Sequence, residues 1–270
     1  MDSTVEQVKT YYDENTQKEW ERLETHPFEF IFTTYMMEKY IRPGQRILDI
    51  GGGPGRYAIH FSGQGCDVTL VDLSEGNVRQ AQEKAAERGV KLTAYAKNCL
   101  ELETLELGMF DHVFLMGPLY HLISEQDRAK AVELALRFLK PGGVFYCSFI
   151  LDFAGIIYDL KNGPGMLPLD LSKPETARLI DSIVTGSRYE GPAFTAACFH
   201  NQRQIEPFLK PFGLKKLHLF GQEGILAPNE KQILSYPKEE VDLWVETAKQ
   251  FLELPELLSY SEHAMYIGRK

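Results

Sequence analysis

One acid and three glycines at alternate positions, Asp49, Gly51, Gly53 and Gly55, sit in Arg-Ile-Leu-Asp-Ile-Gly-Gly-Gly-Pro-Gly-Arg-Tyr-Ala, residues 46 to 58. The spacing describes an apolar strand that ends in a carboxylate and breaks into a loop. Glycines there take backbone angles that a Cβ forbids, and a helix starting near Gly55 turns its free N–H groups toward whatever lies over the loop. Such a loop cradles a nucleotide-type cofactor. A second acid, Asp72, closes Val-Thr-Leu-Val-Asp near the offset from the glycines at which a carboxylate grips ribose hydroxyls. Two frames fit these residues. Gly53-x-Gly55-x-x-Ala58 satisfies the dinucleotide fingerprint and implies an NAD(P)-dependent oxidoreductase; Asp49-x-Gly51-x-Gly53-x-Gly55 is the competing frame.

Positioning such a loop requires a parallel sheet, and the chain has the elements for one. Apolar, β-branched strands are expected at 46–50, 67–72, 91–96, 112–116 and 144–149, separated by helical stretches. Ser74 and Gly89 punctuate a helix over 75–88, and Ser124 with Asp127 resembles a capping box for 125–140. Strand and helix in alternation predict βαβ units. Residues 4–40 read as helical, broken at Pro27, and 201–270 supply a helix over 202–211, strands at 214–220 and 264–268, and a helix near 238–252. Residues 152–198 lack this regularity and carry Gly155, Gly163-Pro164-Gly165, Pro168, Pro174 and Gly191-Pro192. They read as a cap.

The expected organisation is a helical lid over 1–42, a cofactor-binding half over 43–150, a cap insertion over 151–200, and a C-terminal part of the sheet over 201–270 with a second insertion near 223–260. The fold class is α/β: a doubly wound, Rossmann-like, seven-stranded and mostly parallel sheet with its last strand antiparallel.

Composition narrows the partners. The 270 residues are 44% hydrophobic and 25% charged with a formal net charge of −9, ordinary for a globular protein. That acidity disfavours an extended nucleic-acid face, which relies on clustered Lys and Arg. Cys66, Cys99, Cys147 and Cys198 show no metal-ligand or redox-pair spacing, so no metal is expected. The polar N-terminus and the short longest apolar run, 144–151, suit a cytoplasmic protein that does not cross a membrane.

The acid-and-glycine frame resembles motif I of the class I S-adenosylmethionine-dependent methyltransferases, and further motifs follow in that family's order. Phe110-Asp-His-Val-Phe-Leu-Met-Gly-Pro-Leu-Tyr-His-Leu is similar to its fourth strand and loop, Leu139-Lys-Pro-Gly-Gly-Val-Phe to the turn into its fifth, and His263-Ala-Met-Tyr-Ile-Gly-Arg-Lys to its last strand. The resemblance implies S-adenosylmethionine as cofactor. Asp49, Gly51, Gly53 and Gly55 would shape its methionine side, Asp72 would hold ribose, and Leu73, Asn98 and Cys99 would border adenine. Met116, Gly117 and Leu119 would floor it near the sulfur, and a helix carrying Tyr11, Tyr12 and Trp20 would cover it.

Methyl transfer from a sulfonium needs positioning above all, and a general base only where the acceptor is protonated. His121 and His200 are the candidates for that base. The aromatic residues Phe149, Phe153, Tyr158, Phe194, Phe199 and Phe220, with Met166, suggest a small apolar or aromatic acceptor, or form the cap's own core. A cofactor-binding regulatory module without turnover is the non-enzyme alternative.

Overall fold

A computed structural model describes residues 3–163 and 172–270 of the chain. Pro164, Gly165, Met166 and Pro168 lie outside the described residues. Two helices, α1 (Ser3–Thr25) and α2 (Pro27–Met37), precede the alternating elements: β1 (Arg46–Ile50), α3 (Arg56–Gly63), β2 (Asp67–Asp72), α4 (Glu75–Glu87), β3 (Thr93–Ala96), β4 (Phe110–Leu115), α5 (Glu125–Arg137) and β5 (Leu139–Leu151). There follow α6 (Ala154–Asn162), α7 (Pro174–Thr185), β6 (Tyr189–Pro192), β7 (Ala196–His200), α8 (Gln202–Leu209), β8 (Lys215–Gly221), α9 (Glu230–Leu234), α10 (Lys238–Lys249) and β9 (His263–Arg269).

Strands β3, β2, β1, β4 and β5 run parallel in that spatial order, and β9 inserts antiparallel between β5 and β8. These are the seven strands the sequence foretells. Alternation along each strand divides the core into two layers. Phe114 and Tyr146 face Phe28, Phe32, Met36 and Phe61, while Val113, Leu115 and Phe145 face Ala135 of α5 and Ile205 of α8. Both faces of the sheet are therefore covered, as a doubly wound parallel sheet requires.

The cap expectation needs correction. Residues 189–192 and 196–200 form an antiparallel hairpin, β6 and β7, and β7 joins the sheet beside the end of β5 through Ile150 with Phe199 and Leu151 with His200. β5 extends past its pairing with β4, which ends at Leu115 with Cys147, and β7 covers the edge so left, opposite β9. Gly191-Pro192 disguises so short a strand in sequence. Ser74 caps α4 as expected, accepting from the Asn77 amide at 3.0 Å; Ser124 stands at the start of α5 without a side-chain cap bond.

A buried charge cluster joins α2, α6 and α9. Glu230, fully buried, receives Lys161 Nζ at 3.0 Å, a His26 ring nitrogen at 2.8 Å and the Phe28 amide at 3.1 Å, and Lys161 also reaches Glu262 at 2.6 Å. Removing one member strands a buried charge. Lys161→Met is expected to lower unfolding free energy by about 3 kcal/mol, measured by urea denaturation, and adding Glu230→Gln should recover part of the loss.

Candidate functional site

The loop after β1 crosses the loop after β4 at a distance only glycine allows. Gly51 has φ +73°, donates its N–H to the Val71 carbonyl at 2.7 Å, and leaves 2.5 Å between a would-be Cβ and Pro118 Cδ. Gly53, at φ +55°, faces open space and donates its N–H to Asp72 Oδ2 at 2.8 Å. Gly55 serves the scaffold instead, as the N-cap of α3 packed against Ala81.

Two buried carboxylates stand at the ends of adjacent strands. Asp72 is well supplied: besides Gly53, its Oδ1 accepts from the Ser74 amide at 2.9 Å and from Asn77 Nδ2 at 3.1 Å. Burial still raises its pKa against these bonds. Asp49 is 1% exposed and its Oδ2 has no hydrogen-bond partner among the described residues. Burial, and then the charge of Asp72, push it up to about 7.

A cleft of about 790 Å³, counting its open mouth, lies over these strand ends, a size suited to a small-molecule or cofactor site. Gly51, Gly53, Asp72, Leu73, Asn98, Cys99, Gly117 and His121 line it, as do Val5, Val8, Tyr12 and Glu19 of α1. Asn98 also caps the three-ten turn Cys99–Thr104, its Oδ1 accepting from the Leu100 amide at 2.9 Å. Burial pushes the Cys99 thiol up to about 12.

Other expected residues lie elsewhere. Asp49 lies under the loop, Met116 takes the Tyr120 hydroxyl on its carbonyl at 3.3 Å, and Leu119 is buried in the core. Tyr11 packs against Phe194 with ring centroids 6.0 Å apart, and its neighbour Tyr12 enters the cleft instead. Trp20 does not face a ligand. It is buried, donates to Glu24 Oε1 at 2.8 Å, and carries Arg56, Lys84 and Arg88 about its ring. Among the aromatic residues assigned to the cap, Phe149 and Phe220 are wholly in the core, and only Phe194 touches His121, at 5.6 Å between rings.

Helix α1 is held over the cleft by polar contacts. Asp13 Oδ1 accepts from Ser74 Oγ at 2.6 Å and from the Gly76 amide at 3.0 Å, while Lys9 bonds its other oxygen at 2.8 Å. Desolvation opposes the Asp13 charge, but these bonds prevail and hold its pKa below the usual range. Tyr12 Oη meets His121 Nε2 at 2.9 Å, and Thr195 Oγ1, in the turn between β6 and β7, meets His121 Nδ1 at 3.0 Å. Both ring nitrogens of His121 are thus engaged, and burial pushes the ring down to about 4. His200 is not brought to the cleft: it is fully buried against Phe149 and Cys198, and burial lowers it to about 3.

A charged strip continues from the cleft toward β9. Arg22 binds Glu19 at 2.7 Å and Glu29 at 3.3 Å. His263 Nδ1 donates to Glu223 Oε1 at 2.6 Å, and the His263 amide donates to Glu223 Oε2 at 3.0 Å. Although burial disfavours its charge, Glu223 and Glu29 raise His263 to about 9. Sequence reasoning placed Tyr12 on a covering helix but missed Glu19 as a cleft residue. Their spacing with Val5 and Val8 put all four on one helical face, which is the signal that was there to find.

A family model described as a methyltransferase domain matches residues 47–143. That match runs from β1 to the start of β5, the elements that carry the glycine loop and Asp72. The chain is 33% identical over 126 residues to a ubiquinone biosynthesis O-methyltransferase of Bordetella avium, covering 44% of this chain and 51% of the relative. It is 34% identical over 134 residues to the protein of that name from Paracidovorax citrulli, covering 46% and 53%. The chain spans about half the length of the curated relatives it matches.

Among solved structures, the fold resembles magnesium protoporphyrin IX methyltransferase of Synechocystis PCC 6803 with bound SAH, at TM-score 0.59 and 14% identity over 99% of this chain and 100% of that one. It also resembles Burkholderia thailandensis 1,6-didemethyltoxoflavin-N1-methyltransferase, at TM-score 0.57 and 16% identity over 97% and 87%. Among the described residues no helix is long and apolar enough to cross a membrane.

The histidines set a pH profile for stability. His112, lowered to about 4 by burial, joins His121 and His200 as a ring that is neutral when folded. Their contribution is whole above the unfolded value near 6.5 and is lost as pH falls through about 4. Asp49, raised to about 7, acts oppositely as a single group. His263 contributes stability below about 6.5 that is lost as pH rises through 9. Melting temperature is expected to fall on both sides of neutrality; a flat profile from pH 4 to 9 would contradict these environments.

Proposed function

We propose that the protein transfers a methyl group from S-adenosylmethionine to a small-molecule acceptor. The observation that carries this reading is the acidic pair at the ends of β1 and β2, with Asp72 lining the cleft and Asp49 beneath its glycine loop. Asp72 keeps lone pairs beyond its three protein donors, which suits two ribose hydroxyls. Asp49 keeps an oxygen without a partner beneath the glycine loop, a site for the positive end of an amino acid moiety. When bound, this cofactor supplies a methyl group already activated on a sulfonium.

The chain's residues then divide the work of holding it. Leu73, Asn98 and Cys99 border the adenine end, and Gly51, Gly53 and Gly117 let the backbone approach the methionine end. Helix α1 acts as the lid, with Val5 and Val8 excluding water and Tyr12 closing the end beside His121. His121 is a positioning residue in this reading. A ring held near 4 and bonded at both nitrogens is a weak proton acceptor, but it ties α1 to the cap turn at Thr195. The names of the curated relatives, O-methyltransferases of ubiquinone biosynthesis, support a small-molecule acceptor.

Isothermal titration with S-adenosylhomocysteine tests the assignment. Wild type is expected to bind it, Asp72→Ala to bind about 100-fold more weakly, as loss of two bonds to a charged acceptor implies, and NADH to give no protection against heating. Unchanged affinity in Asp72→Ala, or protection by NADH alone, would reject the reading.

A further inference from the structure

The charged strip beyond the cleft has hydrogen-bonding capacity that the protein leaves unused. Glu29 is only 8% exposed, yet its partners are both long: Arg22 at 3.3 Å and the Tyr57 hydroxyl at 3.4 Å. Its neighbour His263 spends Nδ1 on Glu223, and its Nε2 has no partner among the described residues. A buried acceptor with weak bonds and a donor with none are costly unless something fills them.

The strip is continuous with the cofactor cleft. Glu19 and Tyr120 line that cleft; Arg22 bridges Glu19 to Glu29, and the Tyr120 ring lies 6.0 Å from His263. Protein desolvates Arg22 and His263, yet their side chains keep 37% and 16% of their surface accessible. Both side chains lie beside Tyr120, a residue of the cleft wall.

We propose that Glu29 and His263 form the anchor for a hydroxyl group of the methyl acceptor, whose O–H donates to Glu29 and whose oxygen accepts from His263 Nε2–H. The inference rests on the proposed methyl transfer and names its acceptor class: a small molecule bearing a phenolic or alcoholic hydroxyl. Geometry suits it. A ring nitrogen of His263 and carboxylate oxygens of Glu29 and Glu223 lie within 4.8 Å of one another, which sets the Glu29 carboxylate beside the His263 ring. The raised proton affinity of His263 keeps a hydrogen on Nε2 at neutral pH. Two features favour hydrogen bonding over metal ligation by the same three residues. The Arg22 guanidinium already sits on Glu29, and a ring N–H of His263 already occupies Glu223.

The test uses the full chain saturated with S-adenosylhomocysteine and titrated with catechol or its dimethyl ether. Catechol is expected to bind at least tenfold more tightly than the ether, which cannot donate to Glu29. Glu29→Gln should weaken catechol at least tenfold while leaving S-adenosylhomocysteine affinity within twofold. His263→Asn keeps a donor for Glu223 and loses the Nε2 donor, so it should weaken catechol similarly; His263→Gln, with its amide near the Nε2 position, should restore part. Equal binding of catechol and ether, no catechol binding, or no effect of Glu29→Gln overturns the anchor. Stoichiometric binding of zinc or magnesium that Glu29→Gln abolishes overturns it in favour of a metal site. Failure of wild type to bind S-adenosylhomocysteine instead rejects the methyltransferase reading itself.

Discussion

Two carboxylates at neighbouring strand ends, Asp49 and Asp72, are the constraint around which the rest of the molecule is arranged. A parallel sheet brings the ends of β1 and β2 side by side, so each charge lowers the other's tendency to ionise. The fold relieves one of them. Gly53, Ser74 and Asn77 converge on Asp72, and this convergence needs both the positive φ of the glycine loop and the N-terminus of α4. Asp49 receives no such relief at Oδ2 and is held near 7. An acid left with an unpartnered oxygen thus stands beside one that receives three donors.

The same α4 N-terminus anchors the cover. Asp13 bonds Ser74 and Gly76 while Ser74 caps the helix and passes its own amide to Asp72. Helix α1, the Ser74 cap and Asp72 are therefore one hydrogen-bonded unit. At the other end of the cleft, Tyr12 and Thr195 hold His121 between them. Polar bonds of this kind contribute about 1 kcal/mol each, enough to order α1 over the cleft without fusing it to the core. The apolar packing of Trp20 against Ile59 and Ala85 fixes the far end of the helix.

What was legible in the sequence follows interaction range. The strands, the glycine loop and Asp72 depend on local pattern and on neighbouring βαβ units, and residues 46 to 72 carry nearly all of that information. The hairpin of β6 and β7 was not legible, because its strands are short and their reason for pairing is the free edge of β5. His200 looked available from its place before α8, but its position at the end of β7 drives it into the core. Tyr12 was read together with Tyr11; only the docking of α1 against His121, more than a hundred residues distant, separates the one that enters the cleft from the one that packs on Phe194. The charged strip was least visible of all, since it is assembled from α1, α2, the segment after β8 and the start of β9.

His121 and His263 show how partners decide what a residue type means. His121 lines the cleft and His263 lies beyond it beside Tyr120, and both are desolvated, which by itself disfavours a charged ring. His121 has hydroxyl partners, which accept or donate as needed and add no charge, so desolvation prevails and the ring is neutral. His263 has carboxylate partners, whose charge outweighs the same desolvation, so the ring is cationic. The neutral ring can join lid to cap at either tautomer and holds the enclosure together. The cationic ring offers a fixed donor beside an incompletely bonded acid, and that asymmetry of donor and acceptor is what a hydroxyl group complements.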